Sequence, residues 1–227
     1  MLVIFLGPQG SGKTTQAVIL KRKLENEGYR IAITESVHYT VFLRIWHKFL
    51  MFLTRRKIKY RFRSEKLIEE FVEPSFLAHM FKIDFIINLI SAIISALKIL
   101  LLSLFYQLVI EHEGFIYNHL AYLFFIYRKL FTVKFLLKKY QVFLRLLPKK
   151  RIVVILDTSN VKPIDLYKRY RKRGSLSEPW LYIKYQAIVY KTISSVEKNR
   201  AIYDASIDKH ILANNILSFV LQNLELS

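Results

Sequence analysis

The sequence predicts an α/β fold, a doubly wound parallel five-stranded sheet with helices on both faces. Two observations predict it. Five short apolar runs, Leu2–Leu6, Arg30–Thr34, Gln107–Glu111, Ile152–Leu156 and Ala201–Tyr203, have the length and unbroken hydrophobicity of strands buried on both faces. Helical stretches separate them, so each strand is reached by a crossover, which makes neighbours parallel. The first crossover shows the pattern: Thr15–Glu27 carries Ala17, Val18, Leu20 and Leu24 on one side and Lys21, Arg22, Lys23 and Glu25 on the others. Gly28 is a natural stop for that helix. Ligands of such sheets sit in the crevice beyond the carboxyl ends of the strands.

A chain of 227 residues fits one domain, here read as spanning 1–227. With 53% hydrophobic and 15% aromatic residues and only six Gly and five Pro, it is neither disordered nor a low-complexity linker. Lys and Arg total 36 against 17 acidic residues, and a net charge of +19 attracts polyanions without choosing among nucleotides, nucleic acid and acidic lipid headgroups. No helix-turn-helix, zinc-finger or RNA-binding signature is present, so no specific nucleic acid is expected. The chain has no cysteine, which removes disulfides, thiol catalysis and thiolate metal sites and suits a reducing, cytoplasmic interior. Met1–Leu6 has no basic flank or cleavage site, so a buried strand is expected there rather than a signal peptide. Three segments stand apart from the strand and helix pattern: a basic run at 55–63, an apolar and basic block at 124–148, and a lid-like stretch at 163–180.

Gly7, Gly12, Lys13 and Thr14 fill the template G-x-x-x-x-G-K-[ST] between a strand and an amphipathic helix. Each has a physical task. Glycines let the backbone curl so that successive N–H groups face phosphate oxygens, the helix N-terminus adds its positive end, and Lys13 places a mobile charge on the outer phosphates. Gly7, Gly10, Ser11, Gly12, Lys13, Thr14 and Thr15 are therefore the expected ATP-binding residues, with the Thr14 hydroxyl expected on Mg²⁺.

Read as GPQGSGKTTQA, this segment resembles the opening of nucleoside monophosphate kinases. Further segments narrow the resemblance to the thymidylate kinase-like family: Thr34-Glu35-Ser36 after the second strand; Glu113-Gly114-Phe115 and His119-Leu120-Ala121-Tyr122 after the third; Leu156-Asp157 and the basic stretch Tyr167 to Gly174 after the fourth; and Asp204-Ala205-Ser206 closing the fifth. The resemblance implies a sheet of order 2-3-1-4-5 and Mg²⁺-dependent transfer of phosphate from ATP to a nucleoside monophosphate, dTMP first. It also implies a homodimer packed through helices flanking the third strand. Under it, Lys13, Arg169 and Arg173 are catalytic cations, and Glu35, Asp84, Phe115 and Tyr122 lie on the acceptor side. Glu113 is a catalytic carboxylate touching Mg²⁺–water or the acceptor, against the plainer role of a strand-end carboxylate, with Glu111 as its competitor.

The chain departs from the family where the acceptor phosphate is held. Gly114 follows Glu113 where the family has arginine, and Asp84 is followed by Phe85 rather than arginine. Arg55 to Arg63, six basic residues in nine, either gathers that phosphate or is a solvated basic face. His112, His119, Glu111 and Glu113 lack the paired-histidine spacing of a zinc site, and none is expected there.

Phe85 to Tyr106 is 22 residues long with Lys98 as its only charge. Its length suits a membrane span. Against that, a central lysine costs about 2.5–3.5 kcal/mol on insertion scales, and the strands on either side must join one sheet. A dimer-forming helix is the expectation; peripheral membrane contact, shared with Leu120 to Pro148, is the alternative. Two other functions remain beside a nucleotide kinase: a P-loop kinase with a non-nucleotide, membrane-held acceptor, and a nucleotide-binding protein with little kinase activity.

Overall fold

The computed structural model describes residues 1–35, 60–63, 66–69, 77–127, 131–144, 147–162, 165–166, 168–169 and 180–225. In chain order these form β1 (Leu2–Leu6), α1 (Lys13–Asn26), β2 (Ile31–Thr34), β3 (Tyr60–Arg63), β4 (Lys66–Glu69), α2 (Leu77–Phe105), β5 (Leu108–Glu111), α3 (Phe115–Tyr127), α4 (Val133–Leu144), β6 (Arg151–Asp157), α5 (Trp180–Ser194), β7 (Arg200–Asp204) and α6 (Lys209–Glu225). Five strands make one all-parallel sheet in the order β2-β5-β1-β6-β7. Numbering only these strands along the chain gives 2-3-1-4-5, the order the resemblance implies.

β1 is central, and all five of its residues are fully buried. Because successive side chains of a strand point to opposite faces, β1 feeds two cores. Val3 and Phe5 pack with Ala17, Leu20 and Leu24 of α1 and Leu212, Ile216 and Val220 of α6. Leu2, Ile4 and Leu6 enter a second cluster with residues of α2, α3, α4 and α5. The same alternation explains the unbroken apolar runs, since a strand covered on both faces has no polar side to show.

One expectation needs correction. Ala201–Tyr203, read as buried, lies on β7, an edge strand in which Ile202 is 52% exposed. An apolar run reports side-chain type, not whether a further strand or helix covers it. The basic run 55–63 ends in β3, which pairs antiparallel with β4 away from the main sheet; residues 55–59 lie outside the described residues. The block 124–148, read as an apolar and basic insertion, holds parts of α3 and α4, and Phe125, Tyr127, Val133, Leu136, Leu137 and Leu147 sit in the core.

α2 is inverted relative to the usual surface helix. Asn88, Ser91, Ala92, Ser95 and Ala96 face inward and are buried, and Asn88 Oδ1 lies 3.1 Å from His119 Nδ1 of α3. Ile86, Ile90, Leu97, Leu101, Leu104 and Phe105 face outward and are exposed. By length and composition Phe85–Phe105 could cross a membrane. The strands before and after it in the main sheet, β2 and β5, pair directly from Ile31↔Leu108 to Thr34↔Glu111, so α2 lies on the domain that both strands build. At the opposite end of the sheet, the buried Tyr117 hydroxyl donates to Glu197, which also faces Arg151 at 3.6 Å. Burial, then the Glu197 charge, pushes the Tyr117 hydroxyl well above its ordinary pKa.

Candidate functional site

Parallel strands end on one edge of the sheet, and the candidate site lies along that edge. Its centre is the glycine-rich loop between β1 and α1. Gly12, φ 98°, ends the loop as the N-cap of α1, where it offers no capping side chain. The first helical turn carries no acidic residue either, so the orphan amides and positive end of α1 are left to whatever enters from outside. Gly10, φ 84°, lies so near the chain beyond β6 that an added Cβ would come 2.4 Å from the Leu166 carbonyl oxygen.

Lys13 begins α1 yet is only 7% exposed. Its Nζ reaches back across the loop and donates to the carbonyls of Gly7, at 2.6 Å, and Pro8, at 3.1 Å. The ammonium is thus held at the loop's centre. The Ser11 hydroxyl is buried beside it and makes no hydrogen bond among the described residues. Thr14 and Thr15 present exposed side chains at the start of α1.

A buried polar chain supports the loop from behind, and nothing in the sequence pointed to it. The Gln9 amide donates to Gln186 Oε1 at 3.1 Å, Gln186 Nε2 donates to Asn118 Oδ1 at 3.1 Å, and the Tyr190 hydroxyl donates to the same oxygen at 3.4 Å. Gln186 and Tyr190 lie on α5 and Asn118 on α3, so the chain of contacts forms only when these two helices meet behind the loop. Gln186→Leu removes the partner of two groups. A buried polar group losing its partner costs about 1–3 kcal/mol, and calorimetric Tm is expected to fall on the order of 5 °C for a chain of this length.

A second cluster lies beyond β2 and β5. His112 Nδ1 is 3.2 Å from the Thr34 carbonyl oxygen, and Nε2 is 3.8 Å from Glu35 Oε1. The ligand atoms of Glu35, His112 and Glu113 all lie within 4.8 Å of one another. Glu111 is buried within β5, where its Oε1 accepts the Glu113 amide at 3.0 Å, so Glu111 holds the turn while Glu113, partly exposed, faces the edge. His119 is not in this group; it pairs with Asn88.

The ends of β6 and β7 add two more carboxylates. Asp157 accepts from the amide and hydroxyl of Ser159 at 3.0 and 2.9 Å. Asp204 accepts from the Ser206 amide at 2.8 Å and from Asn160 Nδ2 at 2.6 Å. Hydrogen bonds from the Ser206 side chain and then Asn160 hold the Asp204 carboxyl below its ordinary pKa. Of the expected lid, Arg169 is helical and exposed, and Arg173 lies outside the described residues. Asp84 sits on α2 and Phe115 opens α3, and the side chains of both lie outside the described residues. Tyr122 is half-buried against the α3 side of the core.

No protein-family model matches the chain, and no curated protein matches it.

Proposed function

We propose that the chain is an ATP- and Mg²⁺-dependent phosphotransferase of the nucleotide-kinase type, with a P-loop on a doubly wound sheet. Its proposed acceptor is a nucleoside monophosphate, dTMP first. The observation that carries this reading is Lys13: a lysine only 7% exposed, its ammonium anchored over a glycine loop between a central parallel strand and an uncapped helix. An ammonium held at this place gives an entering polyphosphate a cation to meet.

In this reading the amides of Gly7 to Thr15 and the positive end of α1 hold the β- and γ-phosphates, with Lys13 bridging them. The Thr14 hydroxyl, exposed next to Lys13, is free to turn toward Mg²⁺. Transfer then asks mainly for positioning and for charge on the transferred oxygens. Lys13 supplies part of that charge, and in this reading Arg169 and Arg173 supply the rest; Arg suits this because its planar fork pairs bidentately with phosphate. Glu113 serves as the carboxylate on the acceptor side, with Glu35, Asp84, Phe115 and Tyr122 around the acceptor. In this reading the enzyme works in the cytoplasm as a homodimer. A second reading, a membrane-held non-nucleotide acceptor, is favoured by one observation, the outward apolar face of α2.

ADP release from ATP·Mg²⁺ measured against a panel of nucleoside monophosphates tests the function, with stimulation by dTMP expected. If no monophosphate raises turnover, the nucleotide acceptor is wrong. Arg169→Ala is expected to lower kcat by at least ~10²-fold, the scale of one preorganised charge donor, with little change in KM for ATP. An unchanged kcat would leave Arg169 as a solvated residue.

A further inference from the structure

We propose that Glu35, His112 and Glu113 form a divalent-metal site that prefers a transition metal such as Zn²⁺, Mn²⁺ or Co²⁺ to Mg²⁺. The parallel pairing of β2 and β5 sets the three residues together: Thr34 and Glu111 are register partners, so the residues that follow them leave the sheet side by side. Their ligand atoms already lie within 4.8 Å of one another.

His112 carries the argument. Its ring is 4% exposed, and Nδ1 lies 3.2 Å from the Thr34 carbonyl oxygen. A carbonyl only accepts, so Nδ1 bears a proton, and in the neutral tautomer the Nε2 lone pair is turned toward Glu35 Oε1, 3.8 Å away. In that tautomer two acceptors face each other, 3.8 Å apart. A cation between them turns that repulsion into coordination. Fixing a histidine through a backbone carbonyl on its other nitrogen is how ligating imidazoles are oriented. Glu113 is oriented too, because its own amide is tied to Glu111 Oε1 at 3.0 Å.

The distances suit an ion after a small contraction. Bonds of about 2.1 Å put neighbouring ligand atoms roughly 3.0–3.5 Å apart, and the Glu35 side chain, 70% exposed, is free to close the gap. Lys98 Nζ donates to the Glu35 backbone carbonyl at 3.2 Å. One imidazole with two carboxylates selects Zn²⁺, Mn²⁺, Fe²⁺ or Co²⁺, whereas Mg²⁺ favours oxygen ligands and water.

The site stands without the kinase reading. If that reading holds, the ion also has a role, because the carboxylates of Glu35, Glu113, Asp157 and Asp204 line the strand ends and would repel an acceptor phosphate. A dication on the β2–β5 side would hold that phosphate.

Titrating the full-length protein with Co²⁺, free of nucleotide, tests the site. The expected result is saturable binding with a visible ligand-field band, displaced by Zn²⁺ but not by a large excess of Mg²⁺. Glu35→Gln, at an exposed side chain where folding is not in question, is expected to weaken Co²⁺ at least ~10-fold. His112→Gln, which retains a buried polar group, is expected to weaken it ~10–100-fold. Equal affinity in wild type and Glu35→Gln, or the absence of a band, would reduce the three residues to a histidine–carboxylate ion pair and overturn the proposal. Failure of dTMP to drive ATP turnover would leave these results untouched, so the two readings fail separately. A band that persists unaltered when dTMP is added would overturn the acceptor role and leave the site.

Discussion

Lys13→Ala is expected to leave a folded protein that binds ATP·Mg²⁺ at least ~100-fold more weakly, because it removes the ammonium held at the loop's centre. A hydrogen bond to a charged group is worth roughly 1.5–3 kcal/mol, and Lys13 is positioned to make more than one. Folding is expected to survive. The carbonyls of Gly7 and Pro8 lose a donor, and the two apolar cores on either side of the sheet are untouched. Lys13→Met retains most of the stem and removes only the charge, so it separates packing from electrostatics. Calorimetric titration with ATP·Mg²⁺, with circular dichroism as the folding check, measures both variants. Equal affinity in wild type and Lys13→Met would refute the phosphate-binding role and the function built on it.

What was legible in the sequence was whatever a continuous stretch encodes. β1 falls at Leu2–Leu6 as expected, β2 and β5 begin one residue late, and β6 runs one residue longer at each end than Ile152–Leu156. Strands covered on both faces announce themselves by unbroken apolar runs. The glycine loop was equally legible, because its geometry is local to six residues and a helix end. Tyr60–Arg63 alternates aromatic and basic residues, the period of a strand, but the surrounding basic residues masked it as a charge run. The pairing of Glu35 with His112 was not legible at all. The two are 77 positions apart and meet only because β2 and β5 are neighbours in the sheet. Gln186 was hidden for the same reason: its partner is a backbone amide 177 residues away. The inward polar face of α2 was also missed, since a stretch that is apolar on average gives no hint of which side is turned in.

Charge placed on the outward face of α2 is expected to split a homodimer of about twice 27.0 kDa into protomers. The spacing of that face is the reason to expect a second copy of the chain rather than a lipid surface against it. Ile83, Ile90, Leu97 and Leu104 recur every seven residues, as do Ile86, Ile93 and Leu100 between them, and all seven are exposed, from 37% at Ile93 to 76% at Leu104. Steps of three and four alternate, which is the a/d seam of a helix packed against another helix. A lipid surface imposes no such register; a second copy of α2 does. Burying the seam at about 25 cal/mol per Å² gives a protomer reason to find a partner, whereas a monomer would leave an apolar patch of aggregation-prone size in water. In an Ile90→Glu, Leu97→Glu variant, carboxylates would have to be desolvated inside that seam, so the dimerisation constant is expected to weaken by at least ~10³-fold. Both side chains are exposed in the protomer, and the buried face of Asn88, Ser91 and Ser95 is untouched, so the fold is expected to persist. Light scattering at micromolar concentration reads the mass of wild type and variant. A monomeric wild type captured by acidic vesicles and released by salt, as exposed charges screened beyond roughly 10 Å at 0.1 M require, would overturn the dimer and favour the membrane-held acceptor.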